Sequence, residues 1–217
     1  MNVFDIGALP YDLITAQDTW RESCRRMAAL LPREPIRIGL DLGAGPGVSA
    51  IELARARPEA RWIAADLSLA MLRRARENLA AAKDLARPIE LLAADALALP
   101  LRDASVDAAT GHSLVYLLPS RLAGLLELRR VLKPGGTLVY LEPSPHVSPL
   151  RLARFIAANA ASPRFGISML GWRVAGRLST RRITPAQTRE YVLAARYRTV
   201  ETHETLGGLG YFVVATA

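Results

Sequence analysis

Arg37-Ile38-Gly39-Leu40-Asp41-Leu42-Gly43-Ala44-Gly45-Pro46-Gly47-Val48-Ser49 is the stretch from which the rest of the chain can be read. Ile38, Leu40 and Leu42 alternate with small or acidic residues, the pattern of a short buried strand. Gly43, Gly45 and Gly47 follow at every second position, and Val48 to Arg57 then carries the apolar and alanine positions of a helix. Strand, glycine turn and helix together let backbone approach a ligand closely and aim N–H groups at it. The dinucleotide fingerprint G-x-G-x-x-G would require glycine at position 48, where Val48 stands. Two readings stay open on this motif alone: a cofactor loop for a ligand without a pyrophosphate, or a glycine-rich turn of some other α/β protein.

Working outward, Arg61-Trp62-Ile63-Ala64-Ala65-Asp66 reads as a second strand ending in an acid. Asp66 falls about twenty positions past the glycines, where a strand-end carboxylate can accept from two ribose hydroxyls. Ser68 is a good N-cap for a helix over Leu69–Ala82. Ile89–Ala93 reads as a third strand running into Ala94-Asp95-Ala96, and Ser105–Thr110 as a fourth. A helix over Ser120–Leu132 leads to Leu132-Lys133-Pro134-Gly135-Gly136-Thr137-Leu138-Val139-Tyr140-Leu141-Glu142, read as a helix stopped by Pro134, a glycine turn and a fifth strand. Thr184-Pro185 opens a capped helix, and Val200–Leu206 and Tyr211–Ala215 read as an antiparallel pair around Gly207, Gly208 and Gly210. Strands alternating with helices indicate an α/β fold.

Leu40–Gly47, Asp66, Asp95-Ala96 and the Leu132–Glu142 string, in that order, resemble the motifs of class I S-adenosylmethionine-dependent methyltransferases. Tyr11-Asp12-Leu13 adds a likeness to the ubiquinone/menaquinone-biosynthesis type. The resemblance spans residues 11–142 and 184–217. It implies a doubly wound, mostly parallel seven-stranded sheet (the Rossmann-like methyltransferase fold) with the last strand antiparallel. It also implies S-adenosylmethionine as cofactor. By carry-over, Asp41, Gly43, Ala44, Gly45 and Gly47 form the cofactor loop, Asp66 holds the ribose, and Leu67 packs near the adenine. Asp95 and Ala96 meet the adenine amino group and ring. Residues 1–36 would cover the cofactor, with Tyr11 near the sulfonium, where an aromatic face favours a cation. Residues 144–183, rich in apolar residues and arginine, would cap the acceptor. The expected domain is a single one over 1–217.

Methyl transfer from a sulfonium is an in-line displacement that positioning alone accelerates strongly, so no catalytic residue is obligatory. His112 follows strand four on the ligand side of the sheet. It reads either as a base, its ordinary pKa lying near neutrality, or as a polar residue lining the cofactor loop without proton transfer. Tyr116 and His146 are candidates to contact the acceptor. Glu142 ends strand five, and His203 reads as a strand-surface residue.

Composition narrows the function classes. Half-apolar content (51%) with 22% charged residues is globular. No apolar run reaches the roughly 18–20 residues of a membrane span, and the start of the chain lacks a signal pattern, so the expected location is the cytoplasm. Cys24 is the single cysteine, which leaves no disulfide and no cysteine metal cluster; no metal is expected. The net charge of +8 suggests an anionic partner. All but Lys83 and Lys133 of the 28 basic residues are arginine, however, as a GC-rich genome would encode, so nucleic acid is not favoured. The leading expectation is a methyltransferase for a small, lipophilic acceptor: a quinone precursor, a lipid or a secondary metabolite. The arginines of the cap would allow peripheral contact with an anionic membrane. An RNA or protein methyltransferase, and a non-catalytic cofactor-binding partner subunit, are the alternatives.

Overall fold

The computed structural model describes residues 18–146, 148–159 and 181–217. In chain order these form α1 (Asp18–Ala29), β1 (Ile38–Leu42), α2 (Val48–Ala56), β2 (Arg61–Asp66), α3 (Leu69–Ala81) and β3 (Glu90–Ala93). There follow β4 (Val106–His112), a 3₁₀ turn (Val115–Leu117), α4 (Arg121–Val131), β5 (Leu132–Pro143) and α5 (Pro149–Asn159). Then come α6 (Pro185–Ala194), β6 (Thr199–Thr205), a second 3₁₀ turn (Leu206–Gly208) and β7 (Gly210–Thr216). The seven strands make one sheet in the order β3-β2-β1-β4-β5-β7-β6. Only β7 runs against its neighbours, pairing antiparallel with both β5 and β6. The order reverses between β1 and β4, and in open α/β sheets ligands bind at that switch point, beyond the carboxyl ends of the strands.

The alternation along β1 sends Leu40 and Leu42 to one face of the sheet and Gly39 and Asp41 to the other. On the first face Leu40 and Leu42 join Leu125, Leu128, Leu138, Tyr140 and Val213 in a buried core. On the second, Trp62 packs with Met27, Leu31, Ile36 and Leu53 beneath α1 and α2. Gly39 is opposite Trp62 in the β1–β2 register, and a Cβ at 39 would sit 2.6 Å from the indole ring. The ring lies 1% exposed under two helices and has no room to retreat. Gly39→Ala is therefore expected to lower stability by about 1–3 kcal/mol through overpacking, measured by urea unfolding against wild type.

The first helix is anchored by charge as well as by its buried Ser23–Cys24 and Met27–Ala28 pairs. Glu52 of α2 is buried, and its carboxylate takes Arg21 at 2.9 Å, Arg55 at 2.9 Å and Arg25 at 3.4 Å. A buried carboxylate is tolerated when paired in this way. Arg55 also bonds Asp84 at 2.8 Å. The same burial pushes the Cys24 thiol up, so it gives no support to a reactive cysteine.

β3, β6 and β7 differ from the sequence reading by single residues, β4 and β5 by more. β4 continues through Gly111 to His112, because both pair with β5, at Tyr140 and Leu141. β5 starts at Leu132, which pairs with Val106, and the register then jumps so that Ala108 faces Thr137. Pro134-Gly135-Gly136 is thus a bulge inside the strand and not a turn before it. Gly135 has φ +79, and a Cβ at Gly136 would press on backbone oxygens at 2.9 and 3.0 Å.

Candidate functional site

Three backbone donors fold the loop after β1 against the end of β2. Gly43 and Ala44 both donate to the Ala65 carbonyl, at 2.8 and 3.0 Å, and Gly45 donates to Asp66 Oδ2 at 2.8 Å. The other Asp66 oxygen accepts from the Ser68 amide at 2.9 Å, while Ser68 Oγ caps α3 by accepting from Met71. Gly43, Gly45 and Gly47 have φ of 69, 53 and 84°, the left-handed region in which a side chain costs energy. The glycine spacing that marked the stretch in sequence is thus required by the path of the chain.

A cavity of about 330 Å³ opens over this loop, within the size range of small-molecule sites. Gly43 and Gly45 form its floor, and Asp66 and Leu67 one side. Asp95 and Ala96 line it from the loop after β3, and His112 and Ser113 from the end of β4. Leu114, Leu117 and Leu118 complete an apolar wall. Asp95 shapes its own loop, its Oδ1 accepting from Leu97 N at 2.9 Å. Seven residues singled out from the sequence therefore converge on one space from four separate chain segments. Ser68, Met71, Ser113 and the leucine wall were not singled out as ligand contacts; the exposed Leu67 beside the acid was the one local sign of an apolar ligand face.

Other expected residues lie elsewhere. Asp41 does not reach the cavity wall: it is fully buried under the loop, accepting from Ser49 Oγ at 2.5 Å and Thr110 Oγ1 at 2.9 Å. Burial pushes its pKa up to about 6, against the pull of the two hydroxyls. It ties the loop, α2 and β4 together from behind, so direct cofactor contact is replaced by support. Ala44 and Gly47 shape the turn without lining the cavity. Tyr116 is buried beside Glu142, its amide donating to Glu142 Oε1 at 3.3 Å, and is not part of the lining. His146 is exposed and is not among the residues lining the cavity. Tyr11, and nearly all of the 144–183 cap beyond α5, fall outside the described residues.

His112 is 5% exposed. Its Nε2 lies 2.7 Å from Ser23 Oγ, its Nδ1 3.3 Å from Ser113 Oγ, and the Trp20 ring covers it at 3.9 Å between centroids. Burial drives its pKa down to about 3. A general base works best with a pKa near the operating pH, and this imidazole is neutral and far too weak at pH 7. Desolvation favours a neutral hydrogen-bonding imidazole at His112, which weighs against the general-base reading and toward the lining one. Among the described residues no group of three or more His, Cys, Asp or Glu could hold a metal ion.

The residues present fit S-adenosylmethionine. A carboxylate stands at the β2 end beside the glycine loop, and a Cβ at Gly43 would press on Leu114 at 2.8 Å. Apolar Leu67, Leu97 and Met71 line the cavity together with the acid of Asp95, a set that suits a flat ring with a polar edge. Comparison with known proteins agrees. Residues 40–136 match a family model described as a methyltransferase domain. Over 154 residues the chain is 39% identical to the demethylmenaquinone methyltransferase of Corynebacterium urealyticum, covering 68% of this chain and 60% of that protein. The enzyme of the same name from Mycolicibacterium vanbaalenii is 36% identical over 65% of this chain and 58% of its own. The chain thus spans about 60% of the length of these relatives. The fold is shared with a SAM-dependent methyltransferase from Aquifex aeolicus (TM-score 0.69, 19% identity, 95% and 97% of the two chains). It is also shared with Haemonchus contortus phosphoethanolamine N-methyltransferase 2, solved with S-adenosyl-L-methionine (TM-score 0.68, 15% identity, 98% and 57%).

Proposed function

We propose that the chain is a class I S-adenosylmethionine-dependent methyltransferase domain that binds S-adenosylmethionine in this cavity and transfers the methyl group to a small, lipophilic acceptor. The observation that carries the reading is the placement of Asp66, with the bare backbone of Gly43 and Gly45, at the switch point of the sheet. The relatives are named for action on demethylmenaquinone, which favours a quinone precursor as acceptor over other apolar molecules. The leucine wall suits such a substrate. No helix among the described residues is long and apolar enough to cross a membrane. Contact of the arginine-bearing cap with anionic lipid belongs to the same proposal. A nucleic-acid substrate has less support: Arg21, Arg55, Arg61, Arg74 and Arg130 are engaged with Glu or Asp partners.

The cofactor supplies an electrophilic methyl group on a sulfonium sulfur. This chain's residues supply placement. Asp66 fixes the ribose and keeps the glycine loop in register through Gly45. Asp95 selects the adenine edge. The wall from Leu114 to Leu118 excludes water, which raises the effective concentration of a bound nucleophile opposite the sulfur. His112, neutral at working pH, orients its neighbours and takes no proton.

Calorimetric titration with S-adenosylmethionine and S-adenosylhomocysteine tests the cofactor half. Wild type is expected to bind both, and Asp66→Ala to lose roughly 1.5–3 kcal/mol through removal of the charged acceptor. Equal affinity in the two proteins would remove Asp66 from the site. Release of S-adenosylhomocysteine on feeding quinone precursors, and none with RNA, tests the acceptor half.

A further inference from the structure

A line of hydrogen bonds runs from the first helix to the cavity wall, and its polarity can be deduced. A serine hydroxyl has one proton. Ser23 donates it to the Trp20 carbonyl at 2.7 Å, in the back-bonding geometry that helical serines adopt. Ser23 Oγ is also 2.7 Å from His112 Nε2, and with its proton committed it acts there as acceptor. Nε2 must therefore carry the hydrogen. The imidazole is neutral, so Nδ1 holds only a lone pair. Ser113 Oγ, 3.3 Å from Nδ1, then donates its single proton inward. What Ser113 has left for the cavity it lines is lone pairs.

Two further observations fix this arrangement. Ser113 has φ 58, a left-handed conformation that a non-glycine residue keeps only when its surroundings enforce it, and its amide is held by the Leu141 carbonyl at 2.9 Å. Trp20 lies over the His112 ring at 36° and prevents the ring from turning. Ser23 is 1% exposed and 89 positions from His112, so the contact depends on how α1 docks.

We propose that Ser23 is a positioning residue that locks His112 as its Nε2–H tautomer, making Ser113 a pure acceptor that takes a hydrogen-bond donor of the bound cofactor. The line ends on the Trp20 carbonyl, which cannot pass a proton on; it orients groups and conducts nothing. The second half of the proposal rests on the cofactor reading above, while the first half does not. The donor is either the ammonium of the amino-acid end or a hydroxyl or amine of the adenosine end.

Nitrogen-15 NMR of the histidine side chains tests the lock without any ligand. Wild type at neutral pH is expected to show a protonated Nε2 and an unprotonated Nδ1 at His112. Ser23→Ala should give a mixture of tautomers, and Ser113→Gly, which the positive φ accommodates, should shift Nδ1 toward its unbonded value. A protonated Nδ1 in wild type, or a tautomer unchanged in Ser23→Ala, overturns the lock. If Ser23→Ala fails to fold, the wild-type and Ser113→Gly spectra still decide. The ligand half is read by titrating wild type and Ser113→Gly with S-adenosylhomocysteine and with 5′-methylthioadenosine, which lacks the amino-acid end. A fall of about fivefold or more for the first alone assigns the ammonium, and for both an adenosine donor. No fall for either overturns it. Failure of wild type to bind either probe would instead sink the cofactor reading, leaving the tautomer result standing.

Discussion

Gly43→Ala is expected to reduce S-adenosylhomocysteine affinity about 100-fold or more while leaving the protein folded, as read by calorimetry beside circular dichroism. Two penalties act together. Gly43 has φ +69, where a residue with a Cβ pays about 1–2 kcal/mol. The new Cβ would lie 2.8 Å from Leu114 Cδ1, so the leucine must move. Leu114 belongs to the cavity wall, and Gly43 to the floor. The only direction that relieves the clash displaces the wall or lifts the floor, and either narrows the cavity. The global cost stays modest because the loop is held from behind by contacts the substitution does not touch: Ala44 N to Ala65 O, and Asp41 to Ser49 and Thr110. Retained affinity in a folded Gly43→Ala protein would show that the ligand does not approach this floor.

The contrast between Gly43 and His112 shows what was legible in the sequence. The glycine loop, Asp66 and Asp95 each belong to a strand end, and strand-then-turn patterns are local: period two, then glycines or an acid. Their convergence follows from right-handed crossovers between parallel strands, which leave little freedom. The antiparallel pairing of β6 and β7 was legible from the glycines between two strand-like runs, while the seven-stranded sheet was expected from the family resemblance. What was hidden depends on docking between distant segments. Ser23 and Trp20 meet His112 because α1 docks onto α2, through its buried Met27–Ala28 side as well as through Glu52 with Arg21 and Arg25, and no periodicity announces that. Asp41 was misplaced for a related reason. An acid beside a glycine loop looks like a ligand group, and only the depth of β1 in the sheet, with hydroxyls of Ser49 and Thr110 facing it, makes it an internal tie. The ends of β4 and β5 were misjudged because Gly111, Pro134 and Gly136 are poor strand formers, overridden by pairing with neighbours on both sides.

Glu142→Gln is expected to become progressively more stable relative to wild type as pH rises, by roughly 3–5 kcal/mol between about pH 4.5 and pH 9. Glu142 is 1% exposed at the end of β5, and burial lifts its pKa from 4.5 to about 8, against weaker opposing pulls from the Tyr116 amide and Arg121. One oxygen accepts from Tyr116 N, the Val115 amide also favours the charged form, and Oε2 has no hydrogen-bond partner among the described residues. A carboxyl that is more easily protonated folded than unfolded favours the folded state fully below the unfolded pKa, and that advantage is lost as pH climbs through the folded value. Wild type therefore loses stability from this group between about pH 4.5 and 8, and is forced to bury a charge above it. Glutamine keeps the acceptor for Tyr116 and does not titrate. Asp41, lifted to about 6, titrates inside the same window but contributes equally to both proteins, so the difference between them isolates Glu142. Urea unfolding of the two proteins across the range gives the number directly. A constant difference would mean that water or a counter-charge reaches Oε2.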